Sequence, residues 1–161
     1  MFTCGDDDLD DFLRTEALRL QQLNVVRTFV AIYERELSGY ASILADAVVL
    51  ETKERKGLAL GFRDHPVVPA LKIARLGVSS TAREKYRGLG EALVSFALAK
   101  VLAVGVHVGC RLLTVDAYPQ SVDFYERLGF VRNRAREYRD KDPPSMRFDA
   151  FAPTLPSWVT G

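Results

Sequence analysis

The residues best suited to chemistry lie in one short run, Lys85-Tyr86-Arg87-Gly88-Leu89-Gly90. A strand-like stretch, Leu71 to Val78, precedes it, and a long apolar helix from Glu91 to about Val106 follows. Glycines let a backbone approach a ligand closely. The first amides of a helix lack intrahelical partners, and the helix dipole adds partial positive charge beside them. Lys85 and Arg87 add full charges, so a phosphate or pyrophosphate is the natural guest. Taken alone, Gly88-x-Gly90 reads equally well as an ordinary strand-to-helix turn. It is not a P-loop, because no Gly-Lys-Ser/Thr follows, and it lacks the three glycines and later acid of a dinucleotide fingerprint.

A second element lies downstream. Arg111 to Ala117 reads as a strand, Tyr118-Pro119-Gln120-Ser121 leads on from it, and Pro119 to Leu128 reads as a helix with its proline near the first turn and Gly129 at the cap, before Phe130. The order and separation of the two elements resemble the GNAT superfamily of acyl-CoA-dependent N-acyltransferases, from about Leu71 to Phe130. That family has a Gln/Arg-x-x-Gly-x-Gly/Ala turn for the CoA pyrophosphate and a later Phe-Tyr-x-x-x-Gly-Phe element, here Phe124 to Phe130. Lys85 departs from the usual Gln or Arg. The resemblance implies an α+β fold whose central, mostly antiparallel sheet is splayed at a bulge and flanked by helices. It implies acetyl-CoA as co-substrate, held by Leu76, Gly77 and Val78, by Lys85, Tyr86, Arg87, Gly88, Leu89 and Gly90, and by Asp116 and Ser121. Tyr125 is the implied catalytic residue, its hydroxyl beside the CoA sulfur.

Acyl transfer from a thioester to an amine needs a neutral amine, donors for the tetrahedral oxyanion, and a proton for the departing thiolate. A phenol near pKa ~10 and a thiol near ~8.5 are close enough for transfer in the transition state. The bland alternative for Tyr125 is a core aromatic between Phe124 and Leu128. The oxyanion donor is sought among the backbone amides near Leu76, Gly77 and Val78. No general base stands out. Glu51 and Asp116 are the carboxylates best placed by order, and Asp116 reads better as orienting a loop or contacting CoA. A lysine amine at pKa ~10.4 is neutral about once in a few thousand at pH 7, whereas an α-amine near ~8 is about a tenth neutral. Without a strong base, an α-amine is the easier acceptor.

Several elements must position these groups. Asp7 to about Leu23 reads as a helix, with acids in its first turns and Leu9, Phe12, Leu13, Ala17 and Leu20 on one face. Val25 to Tyr33 is β-rich, and Leu37 to Leu50 gives one long or two short strands. Glu51 to Pro69 reads as a loop that orders around substrate. Gly77, inside the Ala70–Val78 strand, suggests a bulge or the close approach of a ligand. The 88–106 helix, broken only by Glu91, Ser95 and Lys100, is expected to be buried on most sides. Ser145 to Asp149 reads as an edge strand, and residues 150–161, with Pro153 and Pro156, as an extended tail.

The 161 residues fit a single domain, 1–161, with a real core. There is no apolar run of ~20 residues for a membrane span, and the acidic opening is no signal peptide. Cys4 and Cys110 read as free thiols of a reducing cytoplasm, and no Cys/His cluster has metal spacing. The net charge of +1 hides an asymmetry: residues 1–16 hold six acids and one base, leaving 21 bases against 15 acids elsewhere. The bases gather at Lys53–Lys56, Lys72–Arg87 and Arg132–Lys141, which suits either a solvated surface with a CoA site or a polyanionic substrate. The opening, Phe2-x-Cys4-Gly5, Leu9 to Leu13 and Arg27-Thr28-Phe29-Val30, resembles GNAT toxins of bacterial toxin–antitoxin pairs. That branch implies the α-amine of aminoacyl-tRNA as acceptor, a ribbon-helix-helix antitoxin as partner, and a homodimer. The other readings are a small-molecule or protein N-terminal acetyltransferase, a non-catalytic CoA-binding module, and a nucleic-acid binder using the basic segments.

Overall fold

A computed structural model of the chain describes residues 1–61 and 65–160. Among them six strands form one sheet: β1 (Arg27–Tyr33), β2 (Glu36–Val49), β3 (Val67–Val78), β4 (Leu112–Asp116), β5 (Val131–Arg132) and β6 (Ser145–Asp149), in the order β1-β2-β3-β4-β6-β5. The pairs β1–β2, β4–β6 and β5–β6 are antiparallel. The fold is therefore mixed α and β with a mostly antiparallel sheet, as expected. Ser145–Asp149 is not an edge, however: two-residue β5 lies outside it. The chain forms two compact units, Met1–Leu44 with Ile73–Ala97, and Ala45–Lys72 with Leu98–Gly161.

The first unit opens on the expected helix, which has an internal irregularity: α1 (Asp7–Asp11), a π turn over Phe12–Glu16, then α2 (Ala17–Gln22). Asp6 caps α1 by accepting from the Leu9 amide at 3.2 Å, and Asp7, Asp8 and Asp10 sit where the dipole favours anions. β1 and β2 form a hairpin whose turn residues, Glu34 and Arg35, both have positive φ (49° and 66°). That geometry matches the strand twist. Ala41, Val78 and Leu93 form the core of this unit, with Ala31, Leu76 and Leu89 packed around them.

Two helices flank the phosphate-turn sequence: α4 (Ser80–Lys85), which the sequence reading missed, and α5 (Leu89–Gly105). Ser79 caps α4 through a hydrogen bond from the Ala82 amide at 3.4 Å. α5 is buried along one stripe, Leu93, Val94, Ala97, Leu98 and Val101, while Phe96 and Leu102 on its other side are 36% and 42% exposed. The expectation of burial on most sides does not hold: even large apolar residues such as Phe96 and Leu102 stay partly exposed, as is ordinary on a folded surface.

In the second unit, Val48, Leu50, Val68, Ala70 and Leu112 form a core, covered by Leu58, Leu60 and Tyr138. The stretch read as a loop contains α3 (Thr52–Gly57), and β3 begins at Val67. A capping box fixes α3: the Glu54 carboxylate accepts from the Glu51 amide at 2.9 Å. Phe62 to Asp64, also within that reading, lie outside the described residues. The end of the chain is not extended throughout, since α7 (Ser157–Thr160) forms a helical turn.

Candidate functional site

In the first unit, the turn and the end of β3 are built as follows. Gly88 has φ +84°, and open space surrounds the position a Cβ would take. That left-handed conformation favours glycine. The Ala92 amide donates to the Gly88 carbonyl at 2.9 Å, which leaves the Leu89, Gly90 and Glu91 amides in the first turn of α5. Lys85 and Arg87 are exposed on either side of Tyr86. The Tyr86 hydroxyl donates to Glu34 at 2.8 Å, which pushes its pKa up to about 12, and its ring meets Tyr33 at 4.3 Å. The β1–β2 turn thus holds the Lys85–Gly90 turn from one side. Open space, exposed cations and free helix amides suit an anion.

Gly77 is close-packed by Tyr40. A Cβ on Gly77 would lie 2.7 Å from Tyr40 Cε1, so the glycine admits this ring and not, on this face, a ligand. Tyr40 is fully buried. Its hydroxyl donates to the Leu9 carbonyl at 2.8 Å, Phe12 stacks on it at 6.3 Å, and Phe2 meets it edge-on at 5.7 Å. Burial pushes the Tyr40 phenol well above its ordinary value, with the Cys4 thiol adding to the effect. Arg83 braces the strand end, donating to the Val78 carbonyl at 3.2 Å and the Cys4 carbonyl at 3.3 Å. Sequence reading missed Tyr40 and Arg83, whose roles come from contacts 31 to 79 residues away in the chain.

In the second unit, Tyr125 lies in α6 (Val122–Arg127), which follows a 3-10 turn at Pro119–Ser121. The proline suits that first turn. The helix ends in a Schellman motif. Phe130 N donates to Tyr125 O at 3.0 Å, Gly129 N donates to Glu126 O at 3.0 Å, and Gly129 has φ +92°. The Phe130 ring accordingly packs back on Tyr125 at 5.2 Å, and Phe124 does so at 5.0 Å. The spacing Tyr-x-x-x-Gly-Phe is thus the covalent form of a helix end that fixes the tyrosine. Tyr125 is 5% exposed, and burial pushes its phenol well above the ordinary value, so its proton is retained at neutral pH. Ser121 flanks α6, its amide donating to Tyr118 O at 2.8 Å, and its side chain makes no cap bond.

Asp116, at the end of β4, is held by Lys72 Nζ at 3.2 Å and Lys141 Nζ at 2.7 Å. Lys72 also meets Asp46 at 3.6 Å, and Asp46 accepts from Thr114 Oγ1 at 2.6 Å. Glu51 accepts from Arg139 at 2.9 Å. Both carboxylates weighed as bases are therefore engaged by cations. Beneath Glu51, buried Glu54 takes Arg147 at 2.7 Å and the Arg134 amide at 3.0 Å. A cavity of about 500 Å³ opens beside them, with Lys53, Arg132 and Arg134 in its lining. Among the described residues no group of three or more His, Cys, Asp or Glu could hold a metal ion, and no helix is long and apolar enough to cross a membrane.

The family model described as an acetyltransferase (GNAT) domain matches residues 7–142. A protein of Mycobacterium tuberculosis (strain ATCC 25618 / H37Rv) named tRNA-acetylating toxin is 27% identical over 130 residues, covering 80% of this chain and 75% of that protein. Two solved structures superpose at similar quality. AtaT complexed with acetyl-methionyl-tRNAfMet has a TM-score of 0.76 at 21% identity, covering 92% of this chain and 85% of that one. A tyrosine-to-phenylalanine mutant of the AtaT toxin, bound to acetyl-CoA and the C-terminus of the antitoxin AtaR, has a TM-score of 0.71 at 22% identity, covering 92% and 83%. With the family model spanning most of its length, this chain belongs to the GNAT acetyltransferase family.

Proposed function

We propose that the protein is an acetyl-CoA-dependent N-acetyltransferase whose acceptor is the α-amine of an aminoacyl-tRNA. The cytoplasm, where charged tRNA and acetyl-CoA meet, is its expected compartment. The CoA pyrophosphate lies on the Lys85–Gly90 turn, where Gly88 and the first amides of α5 face open space. Leu76, Gly77 and Val78 in the first unit, and Asp116 and Ser121 in the second, are the further CoA contacts that the family resemblance implies. The amine attacks the thioester carbonyl directly. The carbon–sulfur bond then breaks and Tyr125 gives its proton to the departing thiolate; the attacking nitrogen sheds one proton and the Tyr125 oxygen takes one up in its place, so that an amide, a CoA thiol and the starting phenol result. Burial raises the phenol, which widens its gap from the thiol and makes it a weaker acid than an ordinary tyrosine, so the transfer relies on the charge that develops on sulfur beside it.

The observation that carries the acceptor class is the engagement of Glu51 by Arg139 and of Asp116 by Lys72 and Lys141. Both carboxylates are occupied by cations and neither is placed free to take a proton from an incoming amine, so an amine already part neutral at pH 7 suits this site better than a lysine. The similarity to a protein named tRNA-acetylating toxin supports tRNA as the carrier of that amine. The exposed arginines at 132, 134, 136 and 139 supply charge for phosphates. A ribbon-helix-helix antitoxin and a second copy of the chain are the expected protein partners.

The reading is tested by induced expression in a bacterial host. Growth arrest is expected from the native chain, with relief by the neighbouring gene and by Tyr125→Phe. Normal growth under strong expression would remove the toxin role and leave the acetyltransferase family assignment standing.

A further inference from the structure

A proton donor must be held in place as well as buried, and the last residues of the chain reach the helix that holds it. Trp158 is the only tryptophan in the sequence. Its Nε1–H donates to the Leu128 carbonyl at 3.0 Å. Leu128 is the C-cap of α6, so that carbonyl belongs to the turn that has no intrahelical donor. The Trp158 ring meets Phe148 at 5.3 Å, Phe148 meets Phe130 at 5.5 Å, and Phe130 meets Tyr125 at 5.2 Å. Pro156 closes the same end: a Cβ on Gly129 would lie 3.6 Å from Pro156 Cγ and 3.4 Å from Phe148 Cε2.

We infer that Trp158 is a positioning residue for Tyr125, acting through its bond to Leu128 and through the ring series Phe148–Phe130. This rests on the reading of Tyr125 as proton donor. α6 has only six residues, so Tyr125 lies within one turn of its C-terminal end. A helix of that length does not hold itself and depends on its packing. If the Leu128 carbonyl loses its donor, the last turn frays, and Tyr125 moves with the carbonyl that Phe130 N binds. A displacement of about 1 Å can cost as much as a hundredfold in rate while leaving ground-state binding intact. A tryptophan that merely covered apolar surface would affect stability alone.

The test follows CoA release from acetyl-CoA, with methionyl-tRNA and with a peptide α-amine as acceptors. Trp158→Ala, Trp158→Phe, Tyr125→Phe and both double variants are compared after thermal melts establish that each is folded. Trp158→Ala is expected to lower kcat about tenfold with KM for acetyl-CoA within about twofold. Trp158→Phe keeps a ring, loses the N–H donor, and is expected to fall between. Neither change should lower kcat further in the Tyr125→Phe background, because one function is already gone. Equal losses in both backgrounds, or an unchanged kcat in folded Trp158→Phe and Trp158→Ala, would overturn the inference. A Tyr125→Phe variant with normal turnover, or native protein that releases no CoA with either acceptor, would instead remove the reading beneath it.

Discussion

In the proposed mechanism, Tyr125 is the residue on which the chemistry turns. Its place at the third position before a Schellman turn gives it two neighbours, Phe124 and Phe130, and almost no solvent. Tyr125→Phe is expected to lower kcat by about a hundredfold with little change in the affinity for acetyl-CoA, since general-acid loss acts on the transition state. Turnover by CoA release and calorimetry with acetyl-CoA check the two halves of that statement. The buried phenols also set a pH dependence of stability. Tyr40 and Tyr125 both have their folded-state pKa raised, chiefly by burial. The unfolded chain therefore loses these protons near pH ~10 while the folded chain keeps them. Their stabilising contribution is complete below that pH and is lost above it. Thermal melts should begin to fall near pH ~8.5, where the unfolded chain's Cys4 and Cys110 thiols ionise while burial keeps them protonated in the fold, and fall further beyond about 10, there less steeply in Tyr125→Phe. An equal slope in the variant would contradict this origin. The tyrosine was legible in the sequence because Tyr-x-x-x-Gly-Phe encodes a local helix end. Tyr40 was not legible, because its partners Leu9, Phe12 and Gly77 come together only through long-range packing.

The elements that carry the site divide along the same line. α5, β2 and β4 could be read directly, since long apolar runs and short-range capping signals mark them. α3 and α4 were missed. Each is six residues long and built of polar residues, with Glu51 and Ser79 as their caps. A helix with no apolar stripe of its own leaves no periodic trace, and its stability comes from contacts the sequence does not display. The turn proposed to hold the CoA pyrophosphate joins α4 to α5 and depends on Gly88. Gly88→Val places a β-branched residue at φ +84°, which disfavours the turn by a few kcal/mol. Acetyl-CoA affinity should fall tenfold or more, about 1.4 kcal/mol, with Gly90→Val acting the same way by obstructing the backbone approach. Unchanged affinity in a folded variant, by calorimetry, would mean that the pyrophosphate lies elsewhere. Gly129→Ala tests the other helix end, where φ is +92° and Phe148 already lies close. Destabilisation of about 1–2 kcal/mol is expected, seen as a Tm several degrees lower.

For the whole molecule, the proposed tRNA substrate calls for a basic surface. The acids concentrated in residues 1–16 leave the remainder with an excess of bases, and the arginines from 132 to 139 are exposed. Reversing the charge of Arg134 and Arg136 should raise KM for charged tRNA more than it lowers kcat, because phosphate contacts act equally in the ground and transition states. Activity on tRNA should fall steeply between low and moderate salt, and the variant should show a shallower slope. Activity on a free peptide amine should respond to neither. The central claim is that acetyl groups pass from CoA to the α-amine of aminoacyl-tRNA, and one measurement addresses it directly. Labelled acetyl-CoA is incubated with the protein and with matched charged and uncharged tRNA, and label is counted in precipitated RNA. The account predicts label on charged tRNA alone, released with the amino acid when the ester is hydrolysed. No label on charged tRNA, from protein that binds acetyl-CoA and acetylates another amine, would contradict it.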